Sequence, residues 1–235
     1  MSEVRITAIQ EPKSSPFENS LSFLQTADNP ANVEVIVRVH DDDPDSLAWV
    51  KTRPPGIRVI IGDTDDGYGS GSDRVNCMAA ASKGDWLWAA ADDCRVRTKG
   101  WDRILAQRLA EPRHACSLLW SSFPDSQLCV MSRGWYRAIG HFGMTEHGDT
   151  YAFSLARVAG LLEQVAIDYA HLHMPWVAAR DRPKTWDEFR SAEVARCFNT
   201  DKLKLGAVLG RPINDPWTTS MEPDGINVTD PLIQA

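Results

Sequence analysis

Four runs of β-branched and aromatic residues, each followed by a helical pattern, constrain this chain more than any other feature. They are "VRITAI" (4–9), "VEVIVRV" (33–39), "IRVIIG" (57–62) and "WLWAAA" (86–91). Between them stand "SPFENSLSFLQTA", which starts at Ser15 and Pro16 and keeps Phe17, Leu21 and Leu24 on one face, and "PDSLAWVK". The second half of "DTDDGYGSGSDRVNCMAAASKGD" reads as a third helix with Ser70 or Ser72 as its N-cap, and "KGWDRILAQRLAE" as an amphipathic fourth. Strands alternating with helices of this length form βαβ units, so an α/β fold with a mainly parallel sheet is expected. In such sheets ligands sit beyond the carboxyl ends of the strands.

Two acidic clusters fall at those ends. "HDDDP" follows the second strand and places Asp41, Asp42 and Asp43 on the edge; "ADD" closes the fourth and places Asp92 and Asp93 there. Either cluster could be a solvated turn, and an aspartate that opens a helix is favourable as a cap. Adjacent carboxylates at the tip of an apolar strand repel each other, however, and a divalent cation would make them favourable. The carboxylates of the first cluster also have the chemistry to accept from a nucleobase imide or a ribose hydroxyl.

Other signals are weaker. "DGYGSGSDRVN" lacks a dinucleotide fingerprint because Ser72 stands where the third glycine belongs, and it has no GK[ST]. An EF-hand reading from Asp63 fails at Tyr68 and Arg74. What remains is a loop into a helix N-terminus, where Arg74 either pairs with a phosphate or is a surface cation. His171 and His173 fall on one face of a strand, as structural histidines or as a third metal ligand beside the carboxylate pair. Glu146 and Asp149 precede "TYAFSLARVAG" and serve either as caps or as a general base. The nucleophile signature GxSxG is absent.

Composition narrows the partners. Of 235 residues 43% are hydrophobic and 24% charged, enough for a sizeable core, and the net charge of −7 argues against broad nucleic-acid binding. The five cysteines are scattered without a CxxC, which favours free thiols in a reducing compartment. "MSEVRITAIQEPKSS" lacks the layout of a secretory signal and no apolar run reaches membrane-span length, so a soluble cytoplasmic protein is expected.

Further along, "ACSLLWSSF" and "QLCVMS" read as strands, "GWYRAI" as a short helix and "DTYAFSLARVAGLL" as a longer one. "QVAIDYAHLHMPW" reads as one strand leaving through His171 and His173, and "TWDEFRSAEVARCF" as a helix with a capping box at Thr185 and Glu188. The expected division is a catalytic domain over 1–176 and a helical and irregular extension over 177–235.

The order of these pieces resembles the GT-A glycosyltransferases, in particular the family 2 type with small bacterial and phage members. The resemblance covers roughly residues 4–173. It rests on Asn76, the small residues Ala79, Ala80 and Ala81, the run Gly84-Asp85-Trp86-Leu87, and Asp92-Asp93. It implies a GT-A-type, Rossmann-like sheet, a nucleotide-sugar donor (a UDP-sugar favoured), a carbohydrate or other hydroxyl acceptor, and Mn2+ or Mg2+. By position it makes Asp93 the metal-contacting acid, with Asp92 on the ion or the ribose and His171 or His173 as further ligands. Asp41, Asp42, Asp43, Arg74 and Asn76 fall on the nucleotide side, and Asp149, with Glu146 as its rival, matches the family's catalytic base. The chain reads Ala91-Asp92-Asp93 where many members have Asp-x-Asp.

The expected function is therefore metal-dependent, inverting glycosyl transfer. Two other classes stay in view. One is a non-catalytic nucleotide- or carbohydrate-binding module using some of the nine tryptophans. The other is a sugar nucleotidyltransferase, against which stands the absence of glycine from "QEPKSSPF" after the first strand.

Overall fold

A computed structural model describes residues 6–11, 17–63, 71–91, 94–109, 116–123, 128–143, 148–171 and 192–213. The helices are α1 (Phe17–Thr26), α2 (Pro44–Thr52), α3 (Gly71–Ala81), α4 (Trp101–Leu109), α5 (Arg133–Ile139), α6 (Gly148–Ala159) and α7 (Ala192–Leu209). The strands of the main sheet are β1 (Ile6–Glu11), β2 (Val33–His40), β3 (Ile57–Gly62), β4 (Trp86–Ala91), β6 (Leu118–Ser121), β7 (Cys129–Ser132) and β8 (Leu162–Val165). Two short strands, β5 (Cys94–Val96) and β9 (Tyr169–His171), make a second sheet.

The main sheet runs in the order β3-β2-β1-β4-β7-β6-β8. Parallel pairing joins β1 to β2 and β4, β2 to β3, and β6 to β8, and β7 lies antiparallel to both of its neighbours. The expected mainly parallel α/β sheet is thus what forms. From β1 the chain steps outward to β2 and β3, then returns through α3 to place β4 on the other side of β1. In open sheets such a reversal opens a ligand-binding crevice beyond the carboxyl ends of the two strands that flank it, here β1 and β4.

The residues of β4 explain why so apolar a strand ends at an acidic pair. Its side chains alternate between two buried layers. Trp86, Trp88 and Ala90 face one layer with Phe23 of α1, Trp101 and Leu105 of α4, and Tyr169 of β9. Leu87 faces the other with Met78 of α3, Trp135 of α5, Tyr151 and Leu155 of α6, and Phe198 and Leu205 of α7. Trp88 is fully buried and meets Phe23, Trp101 and Tyr169 edge-on, with centroids 4.9, 5.1 and 5.0 Å away. Such T-shaped contacts add to burial itself.

Several boundaries differ from expectation for identifiable reasons. Ser72 lies inside α3 and does not cap it; Ser15 and Ser70 are outside the described residues. Helix α6 stops at Ala159 because Gly160 turns left-handed (φ 66°) and Leu161 N–H closes onto the Ala156 carbonyl at 2.8 Å. Of the expected single strand over 164–176, residues 164–171 divide between the end of β8 and β9, and 172–176 lie outside the described residues. The Ser121 hydroxyl donates to the Ile167 carbonyl at 2.7 Å and Asp168 N–H donates to Thr98 Oγ1 at 2.7 Å, which draws the chain off the edge of the main sheet. Helix α7 runs eleven residues past Phe198, the expected end, and its Phe198 and Leu205 join the second core layer. The capping box at Thr185 and Glu188 lies outside the described residues.

Candidate active site at the carboxyl edge of the sheet

Strand β2 extends past β1 and ends level with β3, His40 pairing with Gly62. Asp41 N–H then donates to the Gly62 carbonyl at 3.0 Å, so the acidic turn is fixed to the neighbouring strand end. Asp41 and Asp42 are exposed there. Asp43 is the N-cap of α2. Its Oδ1 accepts from Asp45 N–H at 3.1 Å and Ser46 N–H at 3.2 Å, and its Oδ2 from the Ser46 hydroxyl at 2.5 Å. The Ser46 hydroxyl is the main reason that its pKa lies below the usual carboxylate value; partial burial opposes the shift, and the two amides add to it.

Beside this turn, the buried Arg38 of β2 donates from Nη2 to the Asp63 carbonyl at 3.0 Å. Its guanidinium lies where a Cβ on Gly62 would stand, 2.6 Å away at the nearest atom. A side chain at position 62 would therefore have to displace the arginine from this place.

The side chains of Asp92 and Asp93 lie outside the described residues, but the chain on either side of them is placed. Ala91 ends β4, paired with Glu11 of β1 at the crevice. Cys94 begins β5, which is held from two directions. Val96 N–H donates to Ser22 Oγ at 3.1 Å and Arg95 Nε to Asn19 Oδ1 at 3.2 Å, both on α1. On its other side β5 pairs with β9 in the register Cys94 to His171, Arg95 to Ala170 and Val96 to Tyr169. His171 is therefore set directly across from the residue that follows Asp93, although 77 positions separate Cys94 and His171 in sequence. His173 lies outside the described residues, and of His171 the backbone is placed. Among the described residues no three His, Cys, Asp or Glu side chains form a metal-holding group.

Helices α3 and α6 complete the edge. Helix α3 leads into the amino end of β4, so its first turns, with the buried Arg74, lie toward the carboxyl edge. Phe153, in the second turn of α6, packs edge-on against Trp120 at the end of β6 with centroids 4.8 Å apart. That contact brings the start of α6, and with it Asp149, to the same edge; Glu146 lies outside the described residues.

Asn76 takes a part that the sequence did not suggest. Its Oδ1 accepts from Phe142 N–H at 2.5 Å and its Nδ2 donates to the Gly143 carbonyl at 3.2 Å, so it ties α3 to the segment leading toward α6. Also unforeseen were β5, whose apolar-charged-apolar "CRV" was its one sequence signal, and a buried cluster around Asp201. There the Asp201 carboxylate accepts from His141 Nε2 at 2.8 Å, from the Tyr151 hydroxyl at 2.6 Å and from Lys204 Nζ at 2.9 Å. Burial raises its pKa, but these three hydrogen bonds outweigh it and leave the carboxyl below its ordinary value. Burial, and then the bond to Asp201, push the Tyr151 hydroxyl far above the normal range for tyrosine.

No helix among the described residues is long and apolar enough to cross a membrane. No protein-family model matches the chain, and no curated protein matches it. Solved structures do. TarS 1-349 of S. aureus superposes with a TM-score of 0.58 at 13% identity, over 85% of this chain and 66% of that one. The same TarS segment in complex with UDP-GlcNAc gives 0.60 at 12% identity, over 93% of this chain and 75% of that one. A longer TarS structure gives 0.59 at 11% identity over 93% of this chain, which spans 45% of its length. At such identities the likeness concerns the backbone alone: the chain has the GT-A-type α/β fold of these glycosyltransferase structures.

Proposed function

We propose that the chain is a nucleotide-sugar-dependent glycosyltransferase that moves a hexose from a UDP-sugar to an acceptor hydroxyl with inversion. The observation that carries the reading is the β5–β9 pairing, on a fold shared with TarS. It sets His171 across from Cys94, immediately after the candidate carboxylates at the β1–β4 crevice. The complex of TarS with UDP-GlcNAc supports the donor class.

In this reading the exposed Asp41 and Asp42 accept from the base imide and the ribose hydroxyls, Arg74 pairs with a phosphate, and Asp43 stays with α2. Carboxylate oxygens suit Mn2+ or Mg2+, and an imidazole beside them favours Mn2+ over Mg2+; Asp92, Asp93 and His171 or His173 would hold the ion. When bound, the ion neutralises charge on the diphosphate. Asp149, with Glu146 as the alternative, takes the proton from the acceptor hydroxyl. That oxygen bonds to the anomeric carbon as the carbon–diphosphate bond breaks on the opposite side, and UDP leaves with the electron pair.

Turnover of UDP-GlcNAc to UDP, with water or a sugar as acceptor, tests this. The wild type should release UDP in Mn2+ and stop in EDTA, and Asp149→Asn should lower kcat by about 100-fold or more. Full activity in EDTA removes the metal from the reading. Tight UDP binding without any turnover converts the reading to a binding module.

A further inference from the structure

One carboxylate joins the two stems on either side of residues 144–147. Asp201 of α7 is 1% exposed, and a single oxygen, Oδ2, accepts from both His141, before that segment, and Tyr151, after it. Oδ1 accepts from Lys204 Nζ, which also donates to the Ile139 carbonyl at the end of α5, 2.9 Å away. The donors thus come from the exit of α5, from α6 and from α7 itself. Phe198 of α7 adds an edge-on contact to the Tyr151 ring, centroids 5.6 Å apart. On the far side Asn76 holds Phe142 N–H and the Gly143 carbonyl.

A buried ionic cluster is a poor means of adding stability, because an apolar group of the same shape often does as well. Its particular property is geometric: hydrogen bonds of 2.6–2.9 Å fix register and rotation, which an apolar contact leaves loose. Tyr151 lies two residues after Asp149, in the first turn of α6. We propose that Asp201 is a positioning residue: by pinning the first turn of α6 to the exit of α5, helix α7 determines where Asp149 stands. The inference rests on the reading of Asp149 as the base, and it makes a helix from the expected C-terminal extension part of the catalytic apparatus.

The test uses the full chain and two variants, Asp201→Asn and the gentler Tyr151→Phe, which keeps the ring and removes one donor. Hydrogen exchange reads the clamp directly. Amides of the second turn of α6, residues 152–155, which donate to first-turn carbonyls, should exchange about tenfold faster in both variants, with β1, β2 and β4 unchanged. Kinetics with UDP-GlcNAc should show kcat about tenfold lower, with KM and UDP affinity within about twofold of wild type. A merely structural role would instead lower UDP affinity together with kcat, or leave kcat untouched. Unchanged exchange in both variants overturns the proposal whatever the kinetics. If the wild type turns over no UDP-GlcNAc, the transferase reading fails while the exchange result still decides whether Asp201 holds α6.

Discussion

The two layers that cover the sheet hold their share of the candidate site by different chemistry. On the β4 side Trp86, Trp88, Trp101, Phe23 and Tyr169 form a buried aromatic block, and the carboxylate pair follows the strand mounted on it. On the α6 side the layer is apolar beneath, but the start of the helix is held by a buried carboxylate with three donors. The edge-on aromatic contacts depend on ring geometry but on no ionisable carboxylate, so they are indifferent to acid pH. A hydrogen-bonded carboxylate is directional and depends on its charge. The donor side would thus sit on a rigid mount, and the acceptor side on one that a single atom or proton can loosen.

The largest effect should come from breaking the aromatic block. Trp88→Ala should cost about 3–5 kcal/mol in urea unfolding, by lost burial and a cavity its neighbours cannot fill. The loss should be the same at every pH where the protein is folded.

Asp201→Ala should cost about 3 kcal/mol near neutral pH, because it leaves the donors of His141, Tyr151 and Lys204 without their acceptor. Here pH separates the layers. The folded-state pKa of Asp201 is depressed, so its stabilisation is complete above the ordinary carboxylate range and is lost as pH falls through the depressed value. The gap between wild type and Asp201→Ala should therefore narrow as pH is lowered from about 6 to about 3, while the Trp88→Ala gap stays constant. Parallel pH profiles for the two variants would remove the distinction.

A smaller effect sharpens the donor side. Asp43→Ala should cost about 1 kcal/mol through the lost α2 cap. UDP affinity should change less than about twofold, whereas Asp42→Ala should weaken it by about tenfold or more. An Asp43 variant that folds normally but loses UDP would return Asp43 to the nucleotide.

How legible each layer was in sequence follows from the same contrast. The runs that became β2 and β4 were readable because strands buried on both faces are continuous apolar stretches. Strand β3 was readable by its β-branched residues although it lies half-exposed at the sheet edge, and the acidic residues that follow β2 and β4 were readable as an edge. The residues on the other side depend on contacts made between distant segments. Nothing in the sequence marks Asp201 or His141, and the resemblance puts Asn76 on the nucleotide side; the contacts they make exist only once α3, the exit of α5 and α7 meet. The division of 164–171 between β8 and β9 was hidden for the same reason, since its causes are Ser121 and Thr98 on other strands and loops. Yet that division gives His171 its place beside Cys94.

The most direct test of the nucleotide-sugar reading is the thermal stability of the full chain with UDP, in Mn2+ and in EDTA, for wild type and Asp93→Asn. A site that binds the folded state should raise the melting temperature by a few degrees, about 2–5 °C at saturating UDP, in Mn2+ only and in the wild type only. An equal rise in EDTA or in Asp93→Asn, or no rise at all, would contradict a metal-assisted nucleotide site at the end of β4.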